Sequence, residues 1–330
     1  MNSSLNKNVT LIGGGAVAIE FHLPRVLAVL GAERVEIVES DSGRRDQLAK
    51  RFRGDQRIEV TGNCNLAQDI DLAVIATPPK FHADYFHALC GSARGILIEK
   101  PVALDVAKAE GIRDALANGG PTLWVNLVRR TLQSFTLLRE FWLQGQFGAL
   151  ESVELHEGRV YAWEAMSLGS FSKELNGGGV LMDTGPHVLD QLLQVFDEVE
   201  LEHAFLDGET AGIEANATLL LRADGIPATV QMSRNRNLSN TATFEFERAT
   251  CRIGVCDDHI EVIPRKGRPY SLLRGDRSAS APKFNDLFDR FYVSKIAQQD
   301  ASGVGIAESI ASLQLIEEAY ATGEPMRGAF

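Results

Sequence analysis

The chain has 330 residues, 45% of them hydrophobic and 23% charged, which is enough apolar material for two cores when a domain usually takes roughly 100 to 200 residues. A formal net charge of -11 excludes a nucleic-acid surface and requires any anionic ligand to be gripped by local positive groups. Cys64, Cys90, Cys251 and Cys256 form no CxxC pair and keep no histidine spacing, so no metal site is expected and the thiols read as reduced. Residues 1–8 are polar, and no run reaches the ~18 apolar residues of a membrane span, so no membrane partner and a cytoplasmic location are expected.

In chain order, residues 9–12 form a compact apolar run that ends in Gly13-Gly14-Gly15-Ala16-Val17-Ala18 and passes into a helical pattern through Ile19, Val26, Leu27 and Leu30, stopping at Gly31. Residues 35–38 read as a second buried strand with Glu39 at its end, about 20 residues beyond the glycine turn, where a dinucleotide fold places the acid that binds ribose. Strand-like runs at 58–60, 72–76, 95–98 and 122–125 follow, separated by segments long enough for crossover helices. The expected product is a doubly wound parallel sheet of the Rossmann type over residues 1–125.

Within that unit Gly13 permits a tight turn, Gly15 lets the backbone approach a pyrophosphate, and Ala16 and Val17 open the helix whose N-terminus supplies amide donors. Glu39 favours NAD by accepting ribose hydroxyls and repelling a 2′-phosphate; nearby Arg44 and Arg45 soften that preference, so NADP is not excluded. Ala76-Thr77-Pro78-Pro79 forces an extended turn at the carboxyl edge of the sheet, where ligands of such folds bind. His82, three residues on, is read as a cap or packing group and also as a cofactor contact. Glu99-Lys100-Pro101 ends another apolar run, and Asn126 follows a further strand.

Residues 126–330 carry a different signal. Runs at 150–155, 215–221, 228–232, 243–246 and 260–263 read as strands, several alternating apolar and polar residues as a one-sided antiparallel sheet does. A final helix at about 305–321 places Ile310, Leu313, Ile316 and Ala319 near helical spacing and closes the core. Between these lies Gly178-Gly179-Val180-Leu181-Met182-Asp183-Thr184-Gly185-Pro186-His187, in which helical spacing stacks Asp183 and His187 on one face, with Pro186 as a potential kink.

The ordered series of the glycine turn at 13–18, the Ala76-Thr77-Pro78-Pro79 turn, Glu99-Lys100-Pro101, the segment from Gly177 to His187 and the late helix resembles the Gfo/Idh/MocA family of nicotinamide-dependent oxidoreductases. The resemblance covers nearly the whole chain and implies a Rossmann domain followed by an α/β domain with a large, mostly antiparallel sheet that carries the substrate site and often the oligomer interface, here a homodimer or homotetramer. It implies Lys100, Asp183 and His187 as catalytic residues that also touch substrate, with Glu99 and Lys100 beside the cofactor.

Hydride loss from a secondary alcohol needs a base near the nicotinamide, and an imidazole titrating near neutral pH fits that task. Whether His187 or Lys100 takes the proton is left open by the sequence. For substrate contacts, Arg234 and Arg236, like Arg129 and Arg130, are either grips for an anionic group or solvated strand ends. Tyr161 and Trp163 are either stacking partners for a sugar ring or packing, and Asn126 is a hydroxyl partner. Asp190 either supports the site or faces solvent. The substrates that the resemblance implies are sugars, cyclitols, sugar acids and nucleotide-linked sugars. Two alternatives stand beside a dehydrogenase: a glycosidase that oxidises the sugar transiently, and a redox-silent NAD-binding regulator.

Overall fold

The computed structural model describes residues 7–64, 69–160, 172–208, 213–273 and 284–326. Contacts divide the chain into two units, Met1–Val128 with Phe284–Ile310 and Arg129–Lys283 with Ala311–Phe330.

In the first unit, six apolar segments become β1 (Asn8–Ile12), β2 (Arg34–Val38), β3 (Ile58–Thr61), β4 (Ile70–Ile75), β5 (Ala93–Ile98) and β6 (Thr122–Val125). They stand in the order β3-β2-β1-β4-β5-β6, every pairing parallel. Leu11, Ile37, Leu72, Val74 and Leu97 are wholly buried, because a parallel sheet is covered on both faces by its crossovers. Those crossovers contain α1 (Leu23–Ala28), α2 (Ser42–Phe52), α3 (His82–Leu89) and α4 (Val106–Ala117). Asp41 and Asp105 cap α2 and α4 by accepting the amides of Arg44 and Lys108, both at 2.7 Å. The strand order reverses between β1 and β4, which opens a ligand crevice at the carboxyl ends of those strands.

The sequence predicts one helix after the glycine turn. The structure forms a π-helical turn, Val17–His22, that runs into α1. Pro24 has no amide to give the carbonyl of Glu20, and the Arg25 guanidinium donates to the carbonyls of Glu20 and Phe21 instead, at 3.4 and 3.2 Å.

The second unit contains α5 (Ser134–Leu143), β7 (Leu150–Gly158), α6 (Lys173–Asn176), α7 (Val180–Leu193), β8 (Val199–Leu206), β9 (Asn216–Ala223), β10 (Ile226–Ser233), β11 (Thr241–Phe246), β12 (Ala249–Gly254), β13 (Ile260–Pro264), β14 (Tyr270–Leu273) and β15 (Glu324–Pro325). Among the described residues these strands make a nine-stranded sheet in the order β14-β13-β12-β11-β7-β10-β9-β8-β15. It is mostly antiparallel, with β7 and β10, and β8 and β15, paired in parallel. All five strands expected from the sequence are present. The further strands gave little signal: Glu200, Glu202 and His203 dilute the apolar pattern of β8, and β15 is two residues long.

Asp224-Gly225 joins β9 to β10 with positive φ at both residues, the two-residue hairpin that matches strand twist. On one face, Ala217, Leu219 and Leu221 of β9 and Val230 and Met232 of β10 are buried, and α7 packs against both strands. On the other face Leu220, Thr229 and Gln231 are half-buried. The last long helix runs Ile306–Thr322 with Leu313, Ile316 and Ala319 inside. Among the described residues no helix is long and apolar enough to cross a membrane, and no three metal-ligating side chains gather into a cluster.

Candidate active site

The glycine turn is built for close approach. Gly13 has φ +98°, and a Cβ there would lie 2.7 Å from the Ala76 carbonyl oxygen, so the turn after β1 can lie against the end of β4 only as glycine. The Gly13 amide donates to the Val38 carbonyl at 2.9 Å. At Gly15 nothing lies within 4 Å of where a Cβ would stand, which leaves the backbone at the mouth of the following helix open to a ligand. An open backbone beside Ala16 and Val17, at the head of a helical segment and the carboxyl end of β1, fits the pyrophosphate of a dinucleotide.

Glu39 is buried at this turn. Its Oε2 accepts the Gly14 amide at 3.1 Å and Arg44 Nη1 at 3.2 Å, and its Oε1 accepts the Asp41 amide at 2.8 Å. The acid expected to greet ribose therefore also braces the glycine turn, and Arg44 stands next to it.

On the other side of the crevice, Ala76, Thr77 and Pro78 form the turn after β4. His82 is wholly buried, with Nδ1 2.8 Å from the Pro101 carbonyl and Nε2 2.7 Å from the Thr77 carbonyl. Burial holds its pKa below the ordinary imidazole value. His82, expected as a cap or packing group and as a cofactor contact, sets each ring nitrogen against a protein carbonyl, of which the neutral ring donates to one, and lies between the 77–78 turn and the Lys100-Pro101 turn, whose peptide bond is cis.

Glu99, expected beside the cofactor, is likewise held by partners within the protein. Its Oε1 accepts from His22 Nε2 at 2.9 Å and Asn126 Nδ2 at 2.6 Å, and its Oε2 accepts the Lys100 amide at 3.1 Å. The Tyr292 hydroxyl meets His22 Nδ1 at 2.8 Å. Burial pushes the Glu99 carboxyl up, but the hydrogen bond and charge of His22 and the charge of Lys100 outweigh it and leave the group below its ordinary value. Glu99 is thus the centre of a buried network that fixes the backbone at Lys100. Asn126, expected to meet a substrate hydroxyl, is 2% exposed and belongs to that network.

Asp183 and His187 lie on successive turns of α7, which continues through Pro186 without a break. His187 is buried, whereas the Asp183 side chain is half-exposed and pairs with Arg234 Nη2 at 2.6 Å. Arg234, expected as an anion grip, therefore faces one of the two motif residues of the helix. Arg236 is half-buried nearby in sequence, its amide on Ser233 Oγ at 3.0 Å.

Arg129 and Arg130 are neither solvated nor open grips. Arg129 holds both oxygens of Glu157 at 2.6 Å, and Arg130 forks onto Asp190 at 2.7 to 2.9 Å. Asp190 is 1% exposed and serves this pair rather than solvent. Tyr161 and Trp163 lie outside the described residues.

The model of the oxidoreductase family with an NAD-binding Rossmann fold matches residues 7–127, and that of the Gfo/Idh/MocA C-terminal domain matches residues 135–264. The chain belongs to the Gfo/Idh/MocA oxidoreductase family. Among curated members, the D-glucoside 3-dehydrogenase of Escherichia coli is 27% identical over 57% of this chain and 53% of its own length. A putative UDP-kanosamine synthase oxidoreductase subunit of Amycolatopsis mediterranei is 28% identical over 57% and 51%, so the chain matches about half the length of these two relatives. The NADP-dependent scyllo-inositol 2-dehydrogenase of Bacillus subtilis is 23% identical over 93% of this chain and 78% of its own. In fold, the chain resembles levoglucosan dehydrogenase, solved with NADH and levoglucosan (TM-score 0.78, 18% identity, 96% of this chain and 97% of that one). It also resembles a 3-ketoreductase of Actinomadura kijaniata solved with NADP and TDP-benzene (TM-score 0.78, 16% identity, 97% and 98%).

Four residues of this family member escape a reading of the sequence: His22, Tyr292, Glu214 and Tyr320. His22 sits in the helical segment after the glycine turn, where a single imidazole among apolar residues is the only signal. Glu214 and Tyr320 converge on the start of α7. Glu214 Oε1 and Oε2 both accept the Gly179 amide at 2.9 Å, Oε1 accepts the Leu181 amide at 3.0 Å, and Tyr320 donates to Oε1 at 2.7 Å. No local spacing announces either residue.

Proposed function

We propose that the protein is an NAD(P)-dependent dehydrogenase or ketoreductase acting on a secondary alcohol or ketone of a sugar, cyclitol or nucleotide-linked sugar. The observation that carries this reading is α7, which delivers a buried imidazole and a carboxylate on successive turns from a glycine lead, in a chain whose first unit has an open glycine cradle. The bound nicotinamide supplies the hydride acceptor or donor.

The protein's own residues supply the proton and the orientation. Lys100 and His187 are the proton-transferring groups, Lys100 placed by the Glu99 network and His187 by α7. Asp183, held by Arg234, completes the polar edge of the helix. Gly13, Gly15, Ala16 and Val17 receive the pyrophosphate, Glu39 and Arg44 the adenosine ribose, and the turn of Ala76, Thr77 and Pro78 the nicotinamide side. The half-buried Leu220, Thr229 and Gln231, on the face of β9 and β10 opposite their buried one, support self-association into a dimer or tetramer, which sedimentation velocity tests.

The deciding experiment follows reduced-nicotinamide absorbance with NAD or NADP and a panel of sugars, cyclitols, sugar acids and nucleotide sugars, beside a Lys100→Ala control. Turnover lost in the variant supports the reading. Aglycone release from glycosides without net reduced nicotinamide replaces it by transient oxidation, and nucleotide binding without either replaces it by a regulator.

A further inference from the structure

An α-helix begins with amides that have no partner inside the helix, and a carboxylate in its first turn is drawn back onto them. Asp183 occupies such a position in α7. Its carboxylate pairs with Arg234.

Glu214 takes the amides at the start of α7 three times over. Its carboxylate accepts the amides of Gly179 and Leu181, and its carbonyl accepts the amide of Val180 at 3.0 Å. The Tyr320 phenol closes the group from the other side. Burial and the Glu214 charge raise the Tyr320 pKa, against the opposing amides of Gly179 and Met182, so the phenol stays a donor.

The glycine lead has its physical reason here. A Cβ on Gly179 would stand 1.9 Å from the Glu214 carbonyl oxygen, and one on Gly178 would stand 1.9 Å from the Tyr320 hydroxyl. The same short segment also fixes Arg234: the carbonyl of Ala215, next to Glu214, accepts the Arg234 amide at 2.9 Å.

We propose that Glu214 is a positioning residue for the reaction: by occupying the leading amides of α7 while its neighbour registers Arg234, it delivers the Asp183 carboxylate to Arg234. The inference rests on the catalytic reading of α7 for its kinetic consequence and on geometry alone for its structural one. Glu214→Gln keeps the size of the side chain but places an NH2 group against backbone N–H donors.

The test has two arms. In the first, Asp183→Asn, Arg234→Gln and the double variant form a stability cycle by urea unfolding, run in the native background and again with Glu214→Gln. The expected result is a coupling of at least two-fold in the folding equilibrium that disappears with Glu214→Gln; persistence of the coupling overturns the proposal. In the second, Glu214→Gln lowers kcat ten-fold or more while the Kd for NAD, read by fluorescence, stays within two-fold. A proportionate loss of NAD affinity, or an unchanged kcat, overturns it.

If Glu214→Gln fails to fold, Tyr320→Phe removes a single bond to the same carboxylate. It is expected to weaken the coupling in part, and an undiminished coupling again overturns the proposal. Should no panel substrate turn over in the native protein, the catalytic reading of α7 falls while the stability arm still decides the role of Glu214.

Discussion

Asp183 and Arg234 meet at 2.6 Å, and the arginine is the more sheltered partner, 17% exposed against 49% for the acid. A half-exposed pair of this kind contributes little to stability, about 1 kcal/mol or less. Its value is geometric. Arg234→Gln is therefore expected to leave the urea midpoint nearly unchanged and to lower kcat/KM about ten-fold or more, a loss of roughly 1.4 kcal/mol of transition-state stabilisation. Steady-state kinetics and unfolding on the same preparation check both halves.

Gly13 and Gly15 are expected to separate a structural glycine from a ligand-facing one. Gly13→Ala meets both a positive φ and the Ala76 carbonyl, so it should cost about 1–3 kcal/mol of stability as well as NAD affinity. Gly15→Ala points into open space and should leave stability within about 0.5 kcal/mol, yet weaken NAD at least ten-fold by filling the approach. Thermal unfolding with and without NAD reads both effects.

On the proposed reading, Glu39 and Arg44 set opposite preferences on the adenosine side. With the carboxylate neutralised, Glu39→Gln is expected to shift the ratio of NAD to NADP efficiency toward NADP by about ten-fold, the order of one charge-assisted hydrogen bond. Arg44→Ala should move it the other way. The kcat/KM ratio for the two cofactors at one fixed substrate concentration is the measurement.

The Glu99 carboxyl titrates below its ordinary value in the folded chain. Its contribution is therefore complete above the unfolded value of about 4.3 and is lost as the pH falls through the lower folded value. Urea midpoints measured downward from neutral pH should decline on the acid side. In Glu99→Gln the decline should be shallower and the plateau lower by about 1–3 kcal/mol, because His22 and Asn126 lose a charged acceptor.

How much of this is legible in the sequence depends on the range over which each feature acts. The parallel sheet is readable because strands such as residues 72–75 are buried on both faces and so are apolar without interruption. Lys100, Asp183 and His187 are readable because each sits in a short motif. The partners that place them are not. His22 and Tyr292 lie 270 residues apart and meet through one hydrogen bond, which no window of sequence records. Glu214 lies just before a strand-forming stretch, where one buried acid is indistinguishable from a surface one until the amides of α7 are seen to meet it. Arg129 and Arg130 read as anion grips or solvated ends because their acidic partners, Glu157 and Asp190, come from distant elements.

The bond between His22 and Tyr292 also bears on how such a gene can be cut and recombined. The dinucleotide-binding unit takes its last stretch, Phe284–Ile310, from beyond the nine-stranded sheet's main strands, so that sheet is written into the gene largely as an insertion. A chain cut near residue 128 would leave the imidazole at the heart of the Glu99 network without its phenol. An exchange of that sheet between relatives would need joins on both sides of the insertion, and a single crossover would exchange it only by breaking the support of Lys100.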